Sequence, residues 1–212
     1  MTYQVTATAL NVRRTPSGII VGQLKQGEKV RVAEVLAGWG RIDRGWISMA
    51  FVERVPSQHV LSTLTLKIAK SQMGMGEVPR GSNWGEPVQT YLKSVGITTP
   101  APWCMAFVYW CTNEAAKQLG IENPLLQTGH VLTQFNKRKS LQVVGHPERG
   151  DIFIMDFGGG KGHTGFVSEV TGAAIQTIEG NSNPAGSREG VVVCAKPNGR
   201  KISSIKAFLR LS

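Results

Sequence analysis

The residue of this sequence best suited to nucleophilic chemistry is Cys104, one of three cysteines in 212 residues. It follows the Pro-Ala-Pro segment 100–102 and falls in the first turn of a helix that the pattern predicts from Trp103 to Gly120. The N-terminus of a helix carries unpaired backbone N–H groups and partial positive charge, which stabilise a thiolate relative to a thiol. A nucleophile would be placed there, although free cysteines are more often buried structural residues.

His163 has the best setting among the histidines for the base that a thiolate mechanism needs. It follows the glycine-rich stretch 158–162 at the first residue of a predicted strand, and Gly165 on the same strand face leaves open space beside the ring. An exposed imidazole that faces a helix end is therefore expected. His130 and His146 lie in polar, turn-like segments and are expected at the surface.

Two polar residues at the end of the next predicted strand could orient the imidazole. Glu179 and Asn181 are two positions apart, so a regular strand presents them on one face. Either side chain could accept a hydrogen bond from the ring N–H and hold the tautomer whose other nitrogen meets the sulfur. The alternative for both is a solvated strand end.

The elements that must position these residues lie after residue 62 and change type along that part of the chain. From Ser62 onward apolar residues first recur at helical spacing, and alternating or apolar runs typical of strands follow. This order indicates an α+β fold with an antiparallel sheet. The predicted helices cover about a dozen residues from Ser62, then 87–95, 103–120 and 131–137. The predicted strands are 151–157, 163–170, 173–180, 190–196 and 205–211.

The front of the chain has a different pattern. Residues 3–55 contain five short strand-like segments separated by turn signals, which predicts a small all-β barrel. Within it, Trp46 is expected in the core and Trp39, between two glycines, in a loop. The segments LNVRRTPS, VGQLKQGEKVRVAEVLAGWGRI and GWISMAFVERV resemble the bacterial SH3-like family. That resemblance implies a module that binds wall peptides.

The remainder resembles the cysteine, histidine-dependent amidohydrolase and peptidase family called CHAP, which is related to papain and to the NlpC-type wall peptidases. The segments that carry the resemblance, over about residues 72–209, are GEVPRGSNWGEPVQTYLKSVG, PWCMAFVYW, RGDIFIM, GHTGFVSEV and IEGNSN. It implies that Cys104 is the nucleophile, His163 the base, Glu179 the third catalytic member and Asn181 an accessory polar group. Thr164 departs from the family, in which valine is common after the histidine. Asn83 is a faint candidate for an oxyanion donor beside the backbone N–H of Cys104.

We therefore expect an all-β small SH3-like barrel followed by an α+β papain-like domain, with N-terminal helices packed on an antiparallel sheet. The predicted boundaries are residues 1–56 for the wall-binding domain, 57–62 for a linker and 63–212 for the catalytic domain. The expected activity is hydrolysis of a peptidoglycan amide bond through an acyl-enzyme. Two alternatives stay open: a wall-binding protein without catalysis, and a papain-like deamidase or acyltransferase that acts on a protein.

Composition limits the partners. The formal net charge of +10 favours a polyanionic partner such as bacterial wall. The sequence has neither a clustered basic helix nor an RNA-binding signature, so no nucleic-acid partner is predicted. It also lacks zinc-ligand spacings such as C-x-x-C or H-E-x-x-H, so neither a metal nor another cofactor is expected.

The same features suggest where the chain acts. Three cysteines are an odd number for a disulfide framework, so at least one free thiol is expected. The first residues, MTYQVTATALNV, do not resemble a signal peptide, and no apolar run is long enough to span a membrane. We expect a monomer that is cytoplasmic when synthesised and reaches the periplasm or wall through a pore or a dedicated secretion system, as an endolysin or an antibacterial effector.

Overall fold

The computed structural model describes residues 2–55, 58–143, 146–184 and 190–211, with only the backbone described at 58 and 59. The chain divides into two units, Met1–Ser57 and Gln58–Ser212. Each unit has its own cluster of buried apolar side chains.

The first unit consists of short antiparallel strands: β1 (Thr2–Val5), β2 (Ala9–Arg13), β3 (Ile20–Lys25), β4 (Lys29–Arg31), β5 (Glu34–Leu36), β6 (Trp39–Ile42), β7 (Gly45–Ser48) and β8 (Val52–Arg54). They form a three-stranded sheet in the order β4-β1-β8 and a five-stranded sheet in the order β3-β2-β7-β6-β5. A core of buried aliphatic side chains, including Leu24 and Ile47, holds the unit together. The all-β character agrees with the sequence pattern.

Details of the first unit differ from the prediction. Three of the five predicted strands are each two strands, because irregular residues or the 3₁₀ turn Met49–Phe51 interrupt them. The prediction for Trp46 was wrong: this ring is only partly buried, and its neighbour Ile47 is the fully buried residue. Trp39 starts β6 rather than lying in a loop, and it is partly buried, with the Arg13 guanidinium 6.0 Å from its ring centre.

The second unit begins with helices α1 (Gln58–Ser71), α2 (Val88–Ser94), α3 (Cys104–Leu119) and α4 (Val131–Lys137). The last three confirm the sequence prediction almost to the residue. Pro87 and Gly96 flank α2, and Gly120 ends α3. Helix α1 starts four residues earlier than predicted, so residues 58–62 are helical rather than linker. None of the helices in the described ranges is long and apolar enough to cross a membrane.

The strands of the second unit are β9 (Ile152–Gly158), β10 (Lys161–Thr171), β11 (Ala174–Ser182), β12 (Val192–Lys201) and β13 (Ala207–Leu209). They form one antiparallel sheet in the order β12-β11-β10-β9-β13, which confirms the α+β prediction for this unit. Helix α3 is the centre of the core: ten of its sixteen residues are buried, and Phe107 packs edge-on against Phe166 of β10. The start of α3 therefore lies close to the middle strands of the sheet.

Candidate active site

Cys104 is the first residue of α3, where the sequence predicted it. Its side chain is buried but lines a cleft with a volume of about 900 Å³. The preceding residue, Trp103, is the N-cap of α3 and is fully buried, so the beginning of the helix is fixed by packing. The helix end thus presents a sulfur atom and unpaired backbone N–H groups at the cleft.

The imidazole of His163 bridges Cys104 and Glu179. Its Nε2 lies 2.9 Å from Glu179 Oε2, and the ring also interacts with the Cys104 side chain. Burial lowers the pKa of His163, but the contacts with Cys104 and Glu179 outweigh it and raise the pKa from 6.5 to about 9. The ring is therefore an imidazolium at neutral pH. It is mostly buried between its partners rather than exposed as expected.

Glu179 is fully buried and is held from several sides. Besides the His163 contact, Arg200 donates to both carboxylate oxygens, at 2.6 and 2.7 Å. The hydroxyl of Thr177 donates to Oε1 at 2.6 Å, and that of Ser182 to Oε2 at 2.9 Å. Burial raises the pKa of this carboxyl, but Arg200 and His163 outweigh it and hold the pKa well below its usual range. Glu179 is an ionised carboxylate fixed behind the imidazole.

Arg200 is the residue that the sequence reasoning missed. The predicted strand ended at Lys196, whereas β12 continues to Lys201 through a register shift at the positive-φ residue Gly199. The irregularity lets the Arg200 side chain reach Glu179 while its guanidinium lies 5.4 Å from the Phe153 ring centre. Its only sequence signal was an arginine after a Pro-Asn-Gly segment, which is typical of a turn.

Two glycines allow the elements of the site to pack closely together. A Cβ on Gly165 would lie 2.9 Å from Cγ of Glu179, so the space expected beside His163 is occupied by the carboxylate side chain. A Cβ on Gly180 would lie 2.7 Å from Phe107, on α3. Both distances are shorter than real Cβ contacts. A side chain at position 165 would therefore push β10 away from Glu179, and one at position 180 would push β11 away from Phe107.

Asn181 lines the cleft with Cys104 and His163 but does not repeat the geometry of Glu179. Its φ is +51°, and the pairing of β11 with β12 shifts between Glu179 and Ser182. The regular strand that the sequence analysis assumed from Glu179 to Asn181 is therefore interrupted, and Ser182 is the neighbour that donates a hydrogen bond to Glu179. The Oδ1 atom of Asn181 is buried and has no hydrogen-bond partner in the described part of the chain.

The remaining cysteines differ from Cys104. All three are free, as the sequence predicted for at least one. Cys111 is fully buried within α3, and burial raises its pKa. Cys194 pairs with Glu179 across β11 and β12, and burial likewise raises its pKa. Both are neutral packing residues.

Polar residues from several segments complete the cleft. Asn83, with a φ of +52°, lines the cleft, and so do His130 and Lys161. His130 is exposed as predicted, but it faces the cleft rather than an unrelated surface; His146 is an exposed residue and is not among the lining residues. Within the described ranges, no three His, Cys, Asp or Glu side chains are grouped as a metal site would require.

Comparison with solved structures gives distant similarities. NlpC2 from Trichomonas vaginalis is 15% identical with a TM-score of 0.40, over 100% of this chain and 73% of that one. An NlpC/P60 family protein from Bacillus cereus is 13% identical with a TM-score of 0.41, over 99% of this chain and 63% of that one. At these values neither structure bears on the site.

Sequence comparison is more informative. A beta-N-acetylglucosaminidase of Bacillus subtilis is 44% identical over 48 residues, which are 21% of this chain and only 6% of the relative's length. Residues 96–181 match the CHAP domain family, a range that contains Cys104, His163, Glu179 and Asn181 but neither Glu77 nor Arg200. This match supports a CHAP-like peptidase domain in the second unit.

Proposed function

We propose that the second unit is a peptidoglycan hydrolase that cleaves an amide bond of bacterial wall through a Cys104–His163–Glu179 mechanism. The observation that carries the proposal is the imidazole of His163, which contacts the Cys104 side chain on one side and Glu179, at 2.9 Å, on the other, beside an open cleft. The match to the CHAP domain supports it independently.

The geometry suggests a sequence of proton movements. The thiolate of Cys104 attacks the amide carbonyl, and the backbone N–H at the start of α3 stabilises the oxyanion that forms. The His163 imidazolium donates its proton to the leaving amine, so a thioester between substrate and Cys104 remains. Neutral His163 then removes a proton from water, whose oxygen attacks the thioester, which releases the acid and regenerates the Cys104 thiolate and the His163 imidazolium. Glu179, ionised by Arg200, holds the imidazole and its charge throughout.

The substrate class rests on several supports. The chain has a net charge of +10, which favours an anionic polymer. The Bacillus subtilis relative is a beta-N-acetylglucosaminidase, an enzyme named for an amino sugar, which favours a wall polymer. We further propose that the first unit is an SH3-like wall-binding module, and that the whole chain acts on wall as an endolysin or antibacterial effector.

The decisive experiment is mass spectrometry of the fragments released from purified wall by the chain and by Cys104→Ser. New peptide amines and carboxylates from the parent chain, absent with Cys104→Ser, are expected. Intact wall with both proteins would contradict hydrolysis and leave a binding role. Release of ammonia without backbone cleavage, or transfer of an acyl group to an added amine, would favour the deamidase or acyltransferase alternative.

A thiol-reactive probe at neutral pH supplies a second test. Because Cys104 lies at the cleft beside an imidazolium, we expect it to react before the neutral, buried Cys111 and Cys194. Equally slow labelling of all three thiols would contradict the nucleophile assignment. Peptide mapping after digestion identifies the labelled residue.

A further inference from the structure

The carboxylate of Glu77 is only half satisfied. Its side chain is buried, with 8% of the residue exposed, and Oε1 accepts a hydrogen bond of 2.9 Å from the Trp103 indole. Its Oε2 is buried and has no hydrogen-bond partner among the described residues. Burial of a carboxylate oxygen without a donor is costly, so such an oxygen indicates a partner that binds from outside the chain.

Glu77 lies at the cleft and next to the nucleophile. It is one of the lining residues, and the indole that holds its Oε1 belongs to the residue immediately before Cys104. Its backbone N–H donates to the carbonyl of Val191, also a lining residue, at 2.9 Å. A ligand that reaches Oε2 would therefore extend along the cleft from the scissile amide.

The backbone around Glu77 has little freedom to move. Gly76 forms a bridge with Val192, and a Cβ on Gly76 would lie 2.4 Å from the Val191 carbonyl oxygen. One carboxylate oxygen is held by Trp103 and the backbone is held by β12, so the direction of the second oxygen is set before any ligand arrives. Such preorganisation is typical of a recognition group.

The charges of the cleft define what that group recognises. Among the described lining residues Glu77 is the one carboxylate, and the cationic side chains that line the cleft are Lys161, Arg200 and the His163 imidazolium. Arg200 and His163 are both bound to Glu179. A carboxyl oxygen without a donor at the cleft selects a ligand with N–H donors, and the strongest hydrogen bonds that a carboxylate forms are charge-assisted ones to a cation.

We propose that Glu77 is a substrate-specificity residue that binds a protonated primary amine of the wall peptide, in a subsite beside Cys104. This inference rests on the proposed function for the identity of the ligand. Glu77 lies outside the range 96–181 that matches the CHAP domain. The expected substrates are peptides with a free amino group near the scissile amide, such as those that contain a diamino acid.

The test is a binding measurement that does not depend on turnover. The Cys104→Ser chain is titrated by calorimetry with a soluble muropeptide that carries a free side-chain amine, and with the same muropeptide after N-acetylation. The free amine should bind about 10- to 100-fold more tightly, the range for a hydrogen bond between charged groups. In a Cys104→Ser/Glu77→Gln double variant this preference should disappear, because glutamine keeps an acceptor for Trp103 but loses the charge.

The matched control is Glu122→Gln in the same background, since Glu122 is an exposed carboxylate that does not line the cleft. This variant should keep the preference for the amine. Thermal unfolding of each variant shows whether it is folded. The comparison of the two muropeptides with the Cys104→Ser chain needs no substitution at Glu77, so it tests the subsite even if Glu77→Gln does not fold.

Two results would overturn the proposal. One is equal affinity of the Cys104→Ser chain for the free and the acetylated muropeptide, or no binding of either. The other is a Glu77→Gln variant that loses affinity for both ligands equally, which would mean that Glu77 only supports Trp103. Failure of the proposed function looks different: the parent would leave wall intact while the Cys104→Ser chain still preferred the amine.

Discussion

Replacement of Glu179 by glutamine removes the charge behind His163 while it keeps the shape of the side chain. A hydrogen bond to a charged partner contributes about 1.5–3 kcal/mol, and a neutral one about 0.5–1.5 kcal/mol. The imidazolium therefore loses about 1–2 kcal/mol, and Arg200, no longer neutralised by the carboxylate, adds repulsion. Because about 1.4 kcal/mol corresponds to a factor of ten, the lost hydrogen-bond energy alone should lower turnover at neutral pH by about 5- to 30-fold.

The pH dependence distinguishes this explanation from a general loss of structure. In the proposed mechanism activity requires the imidazolium, so it should be lost as pH rises through the pKa of His163, which is about 9 in the parent. In Glu179→Gln that pKa falls, and the alkaline limb should move to lower pH. The assay is turnover of one soluble muropeptide from pH 5 to 10, with the unfolding temperature measured alongside.

Two comparisons make the result decisive. Asn181→Ala should cost less, since Asn181 has no described contact with the imidazole, and Glu169→Gln, an exposed residue of β10, should behave like the parent. Parental turnover and an unshifted alkaline limb in Glu179→Gln would refute the role of the carboxylate. Greater damage from Asn181→Ala would move the third catalytic role to that residue.

Three further predictions concern the remaining parts of the molecule. Cys104→Ser should abolish hydrolysis with an unchanged unfolding temperature, whereas Cys111→Ser should retain turnover; activity in Cys104→Ser would contradict the mechanism. Folding raises the pKa of His163, so the protonated ring stabilises the folded state fully below pH 6.5, and this contribution is lost by about pH 9. The urea midpoint of the parent should therefore fall between pH 6 and 9.5 by more than that of His163→Gln. An equal fall in the two proteins would argue against the raised pKa. Residues 58–212 alone should cleave soluble muropeptide like the full chain but intact wall more slowly, because a binding module adds effective concentration; equal rates on intact wall would reject that role for the first unit.

The parts of the site that the sequence predicted are those with local signals. Cys104 follows a Pro-Ala-Pro segment and begins a long apolar helix that ends at Gly120, so its position at a helix N-terminus follows from short-range rules. The interaction between His163 and Glu179 also followed from the order of the predicted strands. Arg200 and Glu77 could not be predicted, because their hydrogen-bond partners are distant in sequence. Arg200 donates to Glu179, and Glu77 accepts from the Trp103 indole.

The irregular strands were the other limit. Periodicity of two assumes an unbroken ladder, and β11 loses it at Asn181, where the backbone turns to positive φ. In the first unit the apolar alternation continued across residues that interrupt the strands, so it predicted strands that were too long. Register shifts depend on contacts between strands, and a single strand's sequence carries little information about them.

The close packing at Gly180 has a consequence for when the chain becomes active. Cys104 and His163 belong to a helix and a strand that are far apart in sequence, and they meet only when α3 rests on β11 without an intervening side chain. A newly synthesised or partly unfolded chain therefore lacks the pair of Cys104 and His163. Under the proposed function, completion of tertiary structure and onset of catalysis are one event, so the reactivity of Cys104 should report on the folded population.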